Sequence, residues 1–262
     1  IIRTLLSLIV DFQLIPRLHI YGVAVSNIVV NTVLVLTSIS LLYHQKYFKF
    51  CRFRTSDFVL FKEWCRIGTF SGLSQFLDNF IYAVMICKMV NMVEEQGNYW
   101  LANNFIWGWL LIPISALTEV IRSDCKKGYA KLKRFNYHFI ACAVIAFWAF
   151  SVPAWKPFYR FVENLHHANE IFNITIKLVP FYIAYAGSAI IDNIFIGLGK
   201  TVYTMVNSLI INFGYYGVFF VLALTHAIEF DMNTIIFMFG FGMVCHFVIS
   251  LAEERIFQKK VI

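Results

Sequence analysis

The amino-acid sequence predicts an all-α integral membrane protein, a polytopic helical bundle. Of its 262 residues, 60% are hydrophobic and 14% are charged, whereas soluble domains carry about 45–50% apolar and about 25% charged residues. The apolar residues form continuous runs of about 20 residues, the length of a membrane-spanning helix. The strands of a β-barrel would instead alternate apolar and polar residues. This composition excludes disordered, collagen-like and disulfide-stabilised chains and argues against an ordinary soluble enzyme.

The beginning of the chain is predicted to contain one partial and one complete helix, over residues 1–43. The run Ile1–Leu14 is shorter than the about 20 residues that a membrane span needs. We therefore interpret it as the second half of a helix and expect the chain to be a fragment of a longer protein. A proline-containing turn is expected at Ile15–His19, followed by a spanning helix at Ile20–Tyr43.

A polar, basic loop, His44–Glu63, separates this part from a block of six predicted helices within residues 64–262. These helices are predicted at Ile67–Met92, Tyr99–Ile121, His138–Trp155, Ile174–Leu198, Val202–Leu224 and Thr234–Ala252. The polar stretch Lys156–Ile171 is expected to hold a short interfacial helix. Six helices that enter and leave from the same side of the membrane form a natural half of a two-lobed transporter.

Basic residues are concentrated in every second connection between the predicted helices. They are Lys46, Lys49, Arg52, Arg54, Lys62, Arg122, Lys126, Lys127, Lys131, Lys133, Arg134, Lys200, Arg255, Lys259 and Lys260. The intervening turns hold only Arg17, Lys156 and Arg160, with several acids. Because Lys and Arg accumulate in cytoplasmic loops, the basic side and the C-terminus are predicted to be cytoplasmic, in a plasma membrane of the bacterial inner-membrane kind. We attribute the net charge of +7 to this topology rather than to nucleic-acid binding.

Asp78 is the leading candidate for a functional residue, because a charge inside a span costs about 2.5–3.5 kcal/mol on insertion scales. It lies about 18 Å from the start of its predicted helix, near the middle of the membrane. Its polar neighbours are Ser71, Ser74, Gln75, Asn79 and Tyr82, and most of them follow the spacing of one helix face. A carboxylate on a polar stripe suits a proton or sodium site. The alternative is an acid neutralised by a hydrogen bond that holds helices together.

Asp192 and Asn193 repeat the Asp-Asn pair in the helix Ile174–Leu198. Asp192 lies about 9 Å from the end of that helix. We interpret it as a second candidate acid for an ion or substrate pathway. The alternative is a carboxylate that reaches polar headgroups or water.

The helix Tyr99–Ile121 contains two adjacent amides, Asn103 and Asn104, and three nearby tryptophans, Trp100, Trp107 and Trp109. Amide and aromatic groups that converge on a cavity would suit a bulky amphipathic or cationic ligand. The alternative is hydrogen bonding between helices together with an aromatic belt. Pro113 and Pro180 lie inside predicted helices, and each favours a kink.

Signals for other chemistry are missing from the sequence. The six cysteines form no CxxC pair, and His138, His226 and His246 stand isolated, whereas His166 and His167 are adjacent in a loop, so no zinc spacing is present. Neither a phosphate-binding GxxxxGK[ST] nor a nucleophile GxSxG occurs. We therefore expect a protein that is not an enzyme and holds no metal or organic cofactor.

Two segments carry a resemblance to a known family: RIGTFSGLSQFLDNFIYAVMI and GNYWLANNFIWGWLLIPISALTEVIRSD. They resemble the opening of the C-terminal lobe of multidrug and toxic compound extrusion (MATE) transporters. The positions that match the family pattern are Gly68, Gly72, Asp78, Leu101, Ala102 and Pro113. Phe70 stands where the family usually has a proline. The segment IPRLHIYGVAVSNIVVN resembles the end of the N-terminal lobe, so residues 1–43 would belong to that lobe and 44–63 would connect the two.

The resemblance implies an antiporter in which cation entry drives the export of drugs or other organic compounds by alternating access. Asp78 would be the ion-coupling or substrate-linked acid, with Asp192 as a second acid. Polar side chains beside them would line the cavity: Gln75, Asn79, Tyr82, Asn103, Asn104 and Asn193. The coupling ion would be a proton or sodium. The partners would be the lipid bilayer, a small organic substrate, and the missing N-terminal lobe, with no nucleic acid.

Two other functions remain open at this point. Relatives in the same superfamily flip lipid-linked oligosaccharides or polysaccharides, and such a flippase would need a cationic cavity for pyrophosphate. The spans contain acids rather than Lys or Arg, which favours the exporter. The other alternative is a membrane scaffold without transport, which would tolerate neutralisation of Asp78.

The predicted orientation can be measured with reporter fusions. Alkaline phosphatase fused after Ile262 is expected to be inactive, because that enzyme matures only outside the cytoplasm and the basic tail is predicted to stay inside. The matched control is a fusion within the acidic turn Glu94–Asn98, where activity is expected. Activity at the C-terminus with none at the turn would reverse the topology.

Overall fold

The computed structural model describes residues 2–45, 55–93, 96–125, 128–129, 132, 134–161, 167–229 and 231–261. Residues 46–54 of the predicted basic loop, together with Lys126, Lys127, Lys131 and Lys133, lie outside these described residues. The described part is almost entirely helical and contains no β-strand. The predicted all-α class is therefore confirmed.

The chain divides into two compact units, Ile1–Val59 and Leu60–Ile262. The first contains helices α1 (Ile2–Leu18) and α2 (Ile20–His44), which pack against each other. The predicted turn at Ile15–His19 is wrong in its extent, because α1 continues through Pro16 to Leu18.

The reversal between α1 and α2 falls on His19, whose φ is 48°. The amide of His19 still donates to the carbonyl of Ile15 over 2.8 Å, which closes the last turn of α1. Gly22 follows in the first turn of α2. A Cβ at this position would lie 2.6 Å from the carbonyl oxygen of Leu14, so only glycine permits such a close approach of the two backbones.

The second unit is a bundle whose helices run in chain order from α3 to α11. The α-helices are α3 (Thr55–Ile81, which begins in the first unit), α4 (Cys87–Asn91), α5 (Gln96–Phe105), α6 (Ile112–Asp124), α7 (Arg134–Phe161), α8 (Ala168–Gly197), α9 (Thr201–Leu209), α10 (Gly217–Leu224) and α11 (Met232–Val261). Three π-helical turns join neighbouring segments: Tyr82–Ile86, Ile106–Leu110 and Ile210–Tyr216.

Six helices in the described residues are long and apolar enough to cross a membrane, and the bent pair Gly97–Leu110 and Ile112–Asp124 makes up to seven. The predicted polytopic helical bundle is confirmed, and the protein is a multi-pass membrane protein. The predicted kink near Pro113 is also confirmed, because the two segments of the bent pair meet at 50°. Pro113 lies in the first turn of α6. A backbone N–H at this position has no acceptor within the helix, so the missing N–H of proline costs no hydrogen bond. The carbonyl of Leu110, at the bend, accepts a hydrogen bond from Trp148 Nε1 of α7 at 3.0 Å.

Several helix ends differ from the sequence predictions. Helix α3 begins at Thr55 rather than Ile67, so the prediction of a loop is wrong for residues 55–63. The stretch Lys156–Phe161 was expected to belong to a separate interfacial helix, but it forms the last turns of α7. Helix α11 continues past Ala252 to Val261. Hydropathy marks where a span leaves the apolar layer, whereas a helix can continue into polar surroundings, so the two boundaries differ.

The start of α11 is capped by Asp231, which precedes the first helical residue. Its Oδ1 accepts a hydrogen bond from the backbone amide of Thr234 at 2.7 Å and a second from the hydroxyl of the same residue. These bonds hold the pKa of Asp231 below its ordinary value, and they satisfy an amide that the helix leaves unpaired.

Helix α8 lies at the centre of the second unit and packs against α5, α6, α7, α9 and α11. Half of the residues in its apolar stretch are buried, a larger share than in any other of the six long spans. Two glycines allow α11 to approach α8. A Cβ at Gly240 would lie 2.3 Å from the ring of Phe181, and a Cβ at Gly187 would lie 2.6 Å from the ring of Phe247.

The Gly240→Ala variant tests this contact between α8 and α11. It is expected to destabilise the protein by about 1–3 kcal/mol, because the added methyl group overpacks against Phe181. The matched control is Gly68→Ala, where a Cβ would meet no atom within 4 Å and a gain of about 0.5–1 kcal/mol in helix preference is expected. Thermal unfolding in detergent measures both. Equal midpoints for the two variants would contradict the close packing.

Candidate functional site

Polar side chains from four helices surround a cavity of about 200 Å³ inside the second unit. Its polar lining is formed by Ser71, Ser74, Gln75, Asp78, Tyr185, Asp192, Asn193, Thr204, Ser208 and His246. These residues belong to α3, α8, α9 and α11. The cavity therefore brings together the two acids that the sequence singled out, Asp78 and Asp192, from helices more than 100 residues apart.

Asp78 is held by two donors on the chain segment that follows α8. Its Oδ1 accepts hydrogen bonds from Ser208 Oγ and Asn212 Nδ2, each at 2.6 Å. The amide of Asn212 also donates to Ser208 Oγ at 3.0 Å. Both donors are buried, whereas Asp78 itself is exposed. Asn212 belongs to the π-helical turn Ile210–Tyr216, a type of turn that occurs frequently at functional sites.

Asp192 is held by two partners on α11. Its Oδ2 lies 3.0 Å from His246 Nε2, and its Oδ1 accepts a hydrogen bond from Ser250 Oγ at 2.9 Å. Ser250 Oγ in turn accepts from Asn207 Nδ2 at 2.8 Å. The side chain of Asp192 is 17% exposed and that of His246 is 31% exposed. Asp192 thus has its hydrogen-bond partners inside the protein.

Helix α9 connects the surroundings of the two acids. Asn207 contacts the Asp192 network through Ser250, and the next residue, Ser208, donates directly to Asp78. The hydroxyl of Thr201, at the start of the same helix, donates to the carbonyl of Ile67 on α3 at 3.1 Å. A shift of α9 would therefore alter the hydrogen bonds of both carboxylates.

The residues predicted beside the two acids take different positions. Gln75 lines the cavity. Asn79 is exposed, and its amide donates to the carbonyl of Gln75 in its own helix at 2.8 Å. Tyr82 packs edge-on against Trp100 and Phe239, with ring centroids 5.7 and 6.4 Å away.

Asn193 lines the cavity, but both polar atoms of its side-chain amide are hydrogen-bonded to other groups of the protein. Its Oδ1 accepts a hydrogen bond from the Nε of Arg122, and its Nδ2 donates to the carbonyl of Ala189 at 2.7 Å. Arg122 is also paired with Glu119 at 2.7 Å. Asn193 therefore contributes to the contact between α6 and α8 as well as to the cavity wall.

The amides predicted on the helix Tyr99–Ile121 lie away from this cavity. Asn103 is buried and accepts a hydrogen bond from the hydroxyl of Tyr182, which itself accepts from Trp107 Nε1 at 3.0 Å. This arrangement is hydrogen bonding between helices. Asn104 is exposed, and neither amide is part of the cavity lining.

A second cavity, of about 610 Å³, lies where α3 meets the junction between α8 and α9. Its charged lining residues are Glu63, Arg66 and Lys200, and it also contains Gly199 and Thr201. Gly199 has a φ of 70°, which a glycine adopts without strain.

Sequence reasoning did not select the partners of the two acids. His246, interpreted as isolated, is hydrogen-bonded to Asp192, so that interpretation is wrong. The sequence nevertheless contains a pattern that could have identified these partners. Ser208 and Asn212 are four positions apart, as are His246 and Ser250, and residues with this spacing share a helix face. Polar pairs of this kind within apolar spans indicate an interior face.

Among the residues that the structure describes, no group of three or more His, Cys, Asp or Glu side chains could hold a metal ion. Comparison of the chain with protein-family models, curated proteins and solved structures gave no match.

The connection between Asp192 and Ser250 can be measured by a double-mutant cycle. Asp192→Asn and Ser250→Ala are expected to couple by about 0.5–3 kcal/mol in the free energy of unfolding, because the first removes the charge and the second the donor of the same charge-assisted hydrogen bond. The control pairs Asp192→Asn with Asn79→Ala, since the side chain of Asn79 donates to a carbonyl of its own helix. That pair should be additive within about 0.5 kcal/mol. Additivity in both cycles would contradict the contact.

Proposed function

We propose that this chain belongs to a cation-coupled secondary transporter, an antiporter that exports drugs or other small organic compounds by alternating access. The observation that carries the proposal is the placement of Asp78 and Asp192 on one polar cavity between apolar helices. Ionisable residues within membrane spans are rare, and they commonly mark ion pathways.

The donors around Asp78 support a role for its charged form. Ser208 and Asn212 both donate to Oδ1, and an ionised carboxylate accepts such bonds without donating one itself. An ionised acid in a span attracts a cation. The bound cation neutralises the carboxylate and so lowers the free-energy cost of moving this side chain through apolar surroundings. A proton and a sodium ion both meet this requirement, and we propose that one of them is the coupling ion.

The shared contacts of α9 suggest how binding is coupled to movement. Neutralisation of Asp78 weakens the bonds from Ser208 and Asn212, which form with the charged carboxylate. Because Asn207 on the same helix is bonded to Ser250, such a change reaches the surroundings of Asp192. We further propose a plasma-membrane location, a cytoplasmic C-terminus, and a second lobe that supplies the other wall of the substrate path.

A lipid-linked glycan flippase is the second candidate, and the 610 Å³ cavity favours it. Arg66 and Lys200 on the wall of this cavity carry the positive charge that a pyrophosphate group requires. Glu63 on the same wall opposes an anion, and the smaller cavity contains two acids. These groups favour the exporter.

The test compares the wild type with Asp78→Asn in the full-length protein, reconstituted in vesicles under imposed proton and sodium gradients. Efflux of a lipophilic cationic dye is expected to fall about tenfold or more in the variant, because Asn carries no charge and cannot bind the coupling cation. The matched control is Asn79→Ala, at an exposed neighbour whose amide donates within its own helix, which should retain efflux.

Two outcomes would contradict the exporter. Equal gradient-dependent efflux in wild type and Asp78→Asn would remove Asp78 from the ion path and leave it a structural acid. No dye efflux in either protein, together with transfer of a lipid-linked glycan across the vesicle membrane, would establish the flippase.

A further inference from the structure

Glu253 is a buried acid that the site described above does not use. It lies on α11, one turn beyond Ser250, and is 8% exposed. Its Oε2 is buried, and among the described residues no donor reaches this atom. The neighbouring Glu254 offers a contrast, because its carboxylate lies 3.1 Å from Arg134 and accepts a hydrogen bond from Tyr129.

A second unpaired acceptor lies on the neighbouring helix α9. The side chain of Asn207 is fully buried, and its Oδ1 has no donor among the described residues. Its Nδ2 donates to Ser250 Oγ at 2.8 Å and to the carbonyl of His246 at 3.3 Å. His246, Ser250 and Glu253 follow the spacing of one helix face. Both residues with an unpaired oxygen are therefore neighbours of Ser250: Asn207 donates a hydrogen bond to it, and Glu253 follows it by three positions on the same helix face.

The charges that face Glu253 do not neutralise it. Asp192 on α8 carries the same sign, and His246 on α11 is already engaged with Asp192. Helix α9 contributes Asn207, which is uncharged. A buried carboxylate with an unpaired oxygen is costly, and such groups commonly take up a proton instead. A proton on Oε2 removes the buried charge and turns this oxygen into a hydrogen-bond donor.

We propose that Glu253 is a proton-binding site, occupied at neutral pH and placed on the same helix face as Ser250 and His246, near Asp192. The proton adds to Oε2 and leaves from the same atom, and no other bond changes. Release of the proton places a second negative charge beside Asp192, which strengthens the attraction of that cluster for a cation. The proposed proton site does not depend on the proposed transport function, whereas a role of this proton in coupling rests on it.

Infrared difference spectroscopy of the purified full-length protein tests the site directly. The wild type at neutral pH is expected to show the C=O band of a protonated carboxyl group, and Glu253→Gln should lose this band. Glu254→Gln is the matched control and should keep it, because the carboxylate of Glu254 is paired with Arg134. Asp78→Asn should also keep it. The measurement needs no substrate and no gradient, so it is independent of the efflux result.

A second measurement uses only the wild type, in case Glu253→Gln does not fold. A carbodiimide that modifies protonated carboxyl groups in apolar surroundings is expected to label Glu253 several-fold more than Glu254, with less label at alkaline pH. An unchanged band in Glu253→Gln, or equal labelling of the two glutamates, would overturn the proposal. Loss of the band on addition of sodium at constant pH would also overturn it, in favour of a sodium site.

Discussion

The structure depends on one constraint: a polar group among apolar helices must find its partner inside the protein, because lipid offers none. Asp192 meets this constraint through His246 and Ser250 on a neighbouring helix. The carbonyl of Leu110, at the bend before α6, meets it through the indole of Trp148. Each such pair also fixes which helices lie next to each other, so the polar groups determine the arrangement of an otherwise uniform apolar bundle.

Helix α8 shows how this constraint shapes the bundle. It is the most buried of the six long spans, and polar residues along its length bond to several different neighbours. Tyr182 bonds to α5, Asn193 to α6 and Asp192 to α11. Gly187, against α11, lets that neighbour approach closely. Bonds in three directions hold α8 at the centre, and the cavity forms beside it.

Two of the three π-helical turns in the described part of the chain contribute polar contacts. Asn212, one of the two donors to Asp78, belongs to a π-helical turn. Trp107, which donates to Tyr182, belongs to another. A π-helical turn widens the helix locally and changes the direction of the side chains beyond it. These turns therefore orient polar side chains toward partners that the same side chains would not reach from a regular helix.

The sequence by itself determined the class, the number of spans and the two acids, because hydropathy and helical period are local properties that a single run of residues reveals. It did not determine the partners. Ser208 lies 130 residues from Asp78 along the chain, and only the packing of helices decides that they meet. The same packing left Asn104 exposed and buried Glu253. A periodic pattern specifies a face, whereas the neighbour that covers this face is decided by the fit of all the helices together.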